Sequence, residues 1–512
     1  MKSWLIALCF FAALYALNLS YNLNYFYLRG GAVYDAGWFS WLTSNALSWP
    51  MRNPAFIGGN FLAIHTSFIF FLTTLFLHPL NKLPEAVRFA LVFSLWLPIF
   101  WASIFMIIRR YWVATLLTLN GLNLAMLGFP HIESFIAPLG FLSLAILFRS
   151  RRGMLGSILA IIPLCLAMLI REDAGLHIFL LIAALVLGQF AAKIPLNRGL
   201  ILLASIALAG SAVALLVQKL LVPGGGGQIS QIYFGHPLFS GVTCHSLLNR
   251  LLYWATRRSY IFLPLAIMAI SATCRLGCDP SELKQTCVNS DGESPPKSMV
   301  GADSRPSFYR LSDSMMVDQT LANARFLLIG IAIALPWLAL SLVAAVPLAG
   351  DLMDYYCFPL LFAFFWPLFL AETLNAPQLM KIQIVMGAAS TAAFILFGLL
   401  PFVGDAGLHD RAPWSHLVPP RSGLIAATQT ALANNPHAIL DDGAATLAIA
   451  RLRPGQFSAN DAFTPAQIMA ARTYIHFTTA PAQYISGQAH ALAMIFPDCH
   501  HIPSTRLEIC KK

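Results

Sequence analysis

Residues Phe61 to Leu77 read FLAIHTSFIFFLTTLFL, an apolar run with one histidine, His65, and no formal charge. Whether it crosses a bilayer decides the sidedness of everything that follows. A span needs about 20 mostly apolar residues, so this run is at the short limit. Gly58-Gly59 precedes it and HPLNKLP follows. Similar apolar runs recur near 4–28, 88–108, 112–129, 132–148, 154–170, 174–192, 199–221, 259–274, 326–348, 355–374 and 382–402.

If all twelve cross and Lys2 is cytoplasmic, Arg109-Arg110 and the basic cluster Arg149 to Arg152 fall outside. That violates the positive-inside rule at its two strongest clusters. Treating 61–77 as a helix lying along the outer interface restores the rule downstream. The predicted fold is therefore all-α and polytopic, with about eleven transmembrane helices, outer interfacial helices and a small C-terminal soluble α/β domain. The membrane domain occupies 1–402, with a first outer loop at 29–87 and a Ser/Pro/Asp-rich cytoplasmic loop at 275–325, expected to be disordered. Residues 403–512 form an extracytoplasmic domain.

Composition agrees. The chain has 512 residues, 58% hydrophobic and 11% charged, and a mean hydropathy of +0.69. No single aqueous core absorbs that much apolar surface. The net charge of +10 sits in short clusters between spans, and no basic helix interleaved with aromatics suggests nucleic acid as a partner. The N-terminus resembles a signal peptide but shows no small-x-small cleavage site, so it reads as an uncleaved first span. The nine cysteines show no paired CxxC zinc framework. In DCHHIPSTRLEIC, Cys499, His500, His501 and Cys510 have metal-ligand chemistry, but a Cys499–Cys510 disulfide fits an outside location better.

Parity gathers ionisable groups on the outer side: Asp35, His131, Glu133, the Arg171-Glu172-Asp173 triplet, His236, Asp351 and Asp354. Charges at membrane depth are costly and mark function. Each also has a plain structural reading. Asp35 is a good helix N-cap for the stretch that follows it. There Trp38, Trp41, Leu42, Ala46 and Trp49 share one face, while Ser40, Thr43, Ser44 and Ser48 share the other, as in a helix floating among headgroups. Glu133 suits a helix start, and Arg171 and Asp173 suit the ends of two helices. Arg250, Arg257 and Arg258 also fall outside, either as anion ligands or as a sign of a misplaced boundary.

Several of these stretches resemble one family. YDAGWFSW resembles the Tyr/Phe-Asp-x-Gly first-loop signature of a group of uncharacterised prokaryotic membrane proteins. HIESFIAPL is similar to its His-Pro-Glu-x-x-x-x-Pro-Leu, with Ile132 for proline. IREDAGL is similar to its Lys-Glu-Asp-x-x-Leu, with Arg171 for lysine. YYCFPLL resembles a His-Tyr-x-x-Pro-Leu, with Tyr355 for histidine and Tyr356 next to it. His65 stands near the family's histidine ahead of its interfacial helix. The group resembles a branch of the GT-C superfamily, integral-membrane glycosyltransferases that use polyprenyl-phosphate sugars.

The resemblance implies a sugar transferred from a polyprenyl-phosphate donor to an acceptor hydroxyl on a lipid, glycan or protein, at the outer face of the cell inner membrane. It implies Asp35 as catalytic base. Substrate contacts would come from His65, His131, Glu133, Arg171, Glu172, Asp173, Arg257, Arg258, Tyr355 and Tyr356. No cofactor is required by this reading, and Glu172 and Asp173 are the candidates for holding a divalent metal ion. Two other classes compete. A transporter or lipid flippase predicts repeated halves and broken helices, and a non-catalytic scaffold predicts that Asp35 is dispensable.

Overall fold

The computed structural model describes residues 2–29, 34–47, 65–127, 131–150, 154–221, 233–235, 238–239, 242–277, 313–352, 354–398, 423–448, 451–453, 455–457, 463–477, 492, 494–503, 505 and 507–512. They form a helical protein with one small sheet near the C-terminus. Among them, six helical segments are long and apolar enough to cross a bilayer: Trp4–Leu23, Glu85–Ile108, Ile132–Arg149, Ala174–Ala191, Arg198–Leu220 and Pro377–Leu396. The chain is a multi-pass membrane protein by this measure, with six such helices where about eleven were expected.

Three of the other expected spans are shorter apolar helices, Leu155–Met168, Ser259–Thr273 and Phe326–Leu342. The remaining two are broken, for reasons that lie in single residues. The run 112–129 divides into α6 (Tyr111–Thr118) and α7 (Gly121–Leu127). Asn120 makes the break: its Nδ2 donates to the Leu117 carbonyl at 2.7 Å, and its Oδ1 accepts from the backbone of Leu122 and Asn123 at 2.9 and 3.2 Å. One side chain thus closes one helix and caps the next. The run 355–374 divides into a 3-10 turn (Asp354–Cys357) and the helices Leu360–Phe364 and Trp366–Leu374. Pro359 and Pro367 sit where each new helix begins, positions that need no N–H donor.

The first helix, α1 (Lys2–Arg29), packs on α4 (Glu85–Phe93) and α5 (Trp96–Ile108). From there α5 packs on α8 (Ile136–Arg149), and α8 packs on α9 (Met154–Met168). Beyond it, α10 (Ala174–Ala191) packs on α11 (Arg198–Leu221). The later helices, α13 (Ser259–Gly277), α14 (Asp313–Leu342) and Pro377–Gly398, form a second group. Residues 278–312 of the expected disordered loop lie outside the described residues. Its far end is helical: 313–325 opens α14, in keeping with a run, SMMVDQTLANAR, that has neither Gly nor Pro.

The run 61–77 contributes α3 (Ile69–Leu77), nine residues long. That is about 14 Å of helix, and with the 3-10 turn that follows it counts among the shorter apolar helices, Ile69–Leu80. The reading of α2 (Tyr34–Asn45) needs correction. Both faces are buried: Trp38, Trp41 and Leu42 on one, Ser40 and Thr43 on the other. Ser40 and Thr43 satisfy their hydroxyls on the helix itself, donating to the Gly37 and Phe39 carbonyls at 2.7 Å each. Thr74 of α3 donates to the Leu42 carbonyl and accepts from the Ala46 amide, both at 3.1 Å. A polar face built from Ser and Thr therefore packs indoors instead of facing headgroups. Ser48 and Trp49 lie outside the described residues, as does His236.

The C-terminal part is α/β as expected. Four strands run in the order β1-β2-β4-β3, with β1 (Ala438–Leu440) parallel to β2 (Thr473–Phe477). β4 (Leu507–Lys511) is antiparallel to both β2 and β3 (Asp498–His501). The helix Asp442–Leu447 packs against α2, so this unit rests on the segment between α1 and α4.

Candidate functional site

The loop between α9 and α10 carries Arg171-Glu172-Asp173 and is the centre of the site. Backbone and side chains lace the segment before α3 onto it. The Ile69 amide donates to the Leu169 carbonyl at 2.9 Å, and the Ser67 hydroxyl donates to the Ile170 carbonyl at 2.6 Å. Glu172 then faces this segment: Oε2 accepts from the Thr66 amide at 3.1 Å, and Oε1 lies 3.2 Å from His65 Nδ1. A carboxylate this buried, 2% exposed, needs such partners.

Arg171 faces the other way. Its Nη1 donates to Glu133 Oε2 at 2.6 Å, while Nε donates to Asp173 Oδ1 at 2.5 Å and Nη2 donates to Asp173 Oδ2. The fork-on-carboxylate geometry is the strong form of this pair. These bonds use three of the five N–H donors of a guanidinium. Asp173 also lies 3.4 Å from His177 Nε2, one turn into α10. Glu133 follows His131 in a 3-10 turn (Ile132–Phe135) and donates its amide to His131 Nδ1 at 3.5 Å.

Electrostatics assign protonation states. Burial alone would raise the Glu172 carboxyl, but the His65 hydrogen bond and charge, with Arg171 behind them, hold it below the usual carboxylate range. Burial would lower His65, yet Glu172 outweighs it and the imidazole is held above 6.5. His131 goes the other way: burial first, then the positive His65 and Arg171, push it well below 6.5. Its Nδ1 is turned to the Glu133 amide. Burial would raise Asp173 as well, but Arg171 and then His177 hold it far down.

Aromatic rings close the site from two sides. Phe39 of α2 meets the His131 ring edge-on, with centroids 4.6 Å apart, and stacks on Phe70 of α3 at 5.7 Å. The Arg171 guanidinium lies 5.4 Å from the centroid of Phe358. His177 sits among Trp337, Phe358 and Phe362. Tyr233 is buried against Trp337, and burial pushes its phenol up in spite of the nearby Arg171.

Six of the expected residues thus converge: His65, His131, Glu133, Arg171, Glu172 and Asp173. Asp35 lies in the first turn of α2, and its side chain is outside the described residues, like those of Asp354 and Tyr355. Tyr356 is half-buried and accepts from Trp337 Nε1 through its carbonyl at 2.8 Å. Arg257 closes α12 (Cys244–Arg257). Arg258 is buried, donating to the Asp351 carbonyl at 2.9 Å and the Tyr253 hydroxyl at 2.8 Å. Arg250 donates to the carbonyls of Leu342 and Ala344 at 2.7 and 3.0 Å, closing the C-terminal end of α14. His177 and Tyr233 belong to the site and were not singled out from sequence.

As holders of a divalent ion, Glu172 and Asp173 do not face one point. One is turned to His65 and Thr66, the other to Arg171 and His177. A separate apolar groove of ≈ 660 Å³, lined by Ile99, Leu139, Ile162 and Leu166 among others, opens near Arg149 at the far end of α8. It is remote from these groups.

No family model matches the chain, and no curated protein matches it either. Among solved structures it is similar to the Archaeoglobus fulgidus oligosaccharyltransferase in its apo form. The identity is 12%, the TM-score 0.46, and the match covers 96% of this chain and 71% of that one.

Proposed function

We propose that this multi-pass protein is a membrane glycosyltransferase that moves a sugar from a polyprenyl-phosphate donor to an acceptor hydroxyl, with Asp35 as base. The observation that carries the reading is the contact between Phe39 and His131. It brings α2 to the ionisable cluster, and Asp35 precedes Phe39 by four residues, the spacing that shares a helical face. The cluster that α2 approaches is the only group of six converging ionisable side chains among the described residues.

In this mechanism Asp35 accepts the hydroxyl proton as the acceptor oxygen bonds to the anomeric carbon, a contribution of about 10²–10⁴-fold for a positioned base. The bond from that carbon to the phosphate oxygen breaks, and the polyprenyl phosphate leaves with its electron pair. The two remaining Arg171 N–H donors and the His65 imidazolium stabilise that charge, pre-oriented by Glu133, Asp173 and Glu172. His131, buried beside Glu133 and Phe39, shapes the acceptor side of the site. The Cys499–Cys510 disulfide favours an oxidising, outer location for the C-terminal unit, with the N-terminus cytoplasmic.

The broken helices 111–127 and 354–374 favour a second reading, a transporter or lipid flippase, since such proteins interrupt helices at their binding sites. Asp35→Asn separates the two. In proteoliposomes given a polyprenyl-phosphate sugar, the transferase reading expects donor binding to persist and transfer to be lost. Normal transfer by the variant, or sugar-lipid crossing the bilayer without transfer, contradicts it.

A further inference from the structure

The C-terminal sheet brings together a set of side chains that the proposed reaction does not use. β2, β3 and β4 place His476, Cys499, Glu508 and Cys510 so that one donor atom from each lies within 4.8 Å of all the others. The register explains it: His476 pairs with Glu508, and Cys499 pairs with Cys510. Residues alternate between faces along a strand, so Glu508 and Cys510 share a side of β4. We propose that this cluster is a redox-gated site for a thiophilic divalent cation such as Zn²⁺. It is closed while Cys499 and Cys510 are joined and opens when they are reduced.

The distances fit a tetrahedral site. With Zn–S near 2.3 Å and Zn–N or Zn–O near 2.1 Å, tetrahedral edges are about 3.4 Å between N and O and about 3.6 Å between N and S. His476 Nε2 lies 3.4 Å from Glu508 Oε2 and 3.3 Å from Cys510 Sγ. Only the sulfur pair is out of place, because Cys499 and Cys510 are joined to each other, and a tetrahedral metal holds its two thiolates about 3.8 Å apart. Cys499 is on β3, an exposed strand at the edge of the sheet, so its side chain can swing without disturbing the core. Cys510 is buried and fixed.

The chemistry balances with a dithiol reductant. Two electrons and two protons pass from the dithiol to the disulfide, leaving two cysteine thiols and an oxidised reductant. Metal binding then displaces both thiol protons, because the thiolate is the ligand. The ligand set differs from the sequence-adjacent one: His500 is turned to Asp498 at 3.5 Å, and His476 takes its place.

The test uses the full-length protein, purified without metal-affinity resin, and titrates Co²⁺ before and after reduction with a phosphine. The proposal expects one equivalent bound after reduction, with a thiolate-to-cobalt charge-transfer band and tetrahedral d–d bands, and none before. His476→Ala and Glu508→Gln should each weaken binding by at least about tenfold, with His500→Ala unchanged. Circular dichroism establishes that each variant is folded. No band after reduction, binding undiminished in both folded variants, or dependence on His500 overturns the proposal.

Discussion

His65 Nδ1 lies 3.2 Å from Glu172 Oε1, joining the segment before α3 to the α9–α10 connection across more than a hundred residues of chain. The pair has a pH signature. Glu172 is held below 4.5 in the folded protein, so its contribution is present above that pH and lost as the pH falls through the folded value. His65 is held above 6.5, so its contribution is complete below 6.5 and lost as the pH rises through the folded value. The contact stabilises most between about 4.5 and 6.5. Glu172→Gln should therefore lower the thermal midpoint more near pH 5.5 than at about pH 9. Equal losses at both would show that the ionic part of the contact is negligible.

Removing Arg171 strands two carboxylates. Glu133 and Asp173 lose the guanidinium that neutralises them, and breaking a buried pair from one side costs about 3–5 kcal/mol. Arg171→Ala should fold poorly or melt far below wild type in detergent. Arg171→Lys restores charge without the fork and should recover only part of the loss.

His177→Phe tests the outer support of that pair. It keeps the aromatic packing against Trp337, Phe358 and Phe362 and removes the nitrogen facing Asp173. Nε2 is 3.4 Å from Asp173 without hydrogen-bond geometry, so the expected cost is below about 1 kcal/mol, well under that of Arg171→Ala, read from the same melts. A loss as large as that of Arg171→Ala would mean that His177, not Arg171, holds Asp173 in place.

The helix break at Asn120 rests on a close crossing. A Cβ on Gly121 would lie 2.6 Å from the Ser390 carbonyl oxygen and 2.7 Å from Tyr260 Cβ. Both are rigid parts of neighbouring helices, so Gly121→Ala should destabilise by about 1–3 kcal/mol. An unchanged melting temperature would mean that these helices are further apart than described.

Much of the site was legible because ionisable residues stand out in an apolar chain. His131, Glu133 and the Arg171 triplet were grouped on one side by charge parity, and His65 was singled out through the family resemblance. His177 was not visible: in AGLHIF it looks like any residue of an apolar helix, and only the turn from Asp173 into α10 gives it a role. Tyr233 comes from a distant segment, and nothing local marks it. For the fold, hydropathy located the helical segments but averaged over Asn120, Pro359 and Pro367, where single side chains end helices. The burial of α2 escaped for a similar reason. Ser40 and Thr43 count as polar in a helical wheel, yet their hydroxyls are satisfied by the helix backbone itself.

Native mass spectrometry of the purified protein tests the central claim most directly, by asking which lipids it retains. The account predicts a bound isoprenoid phosphate, carrying the sugar whose identity its mass would reveal. Repeated preparations holding only bulk phospholipid, together with no binding of added polyprenyl phosphate, would contradict it.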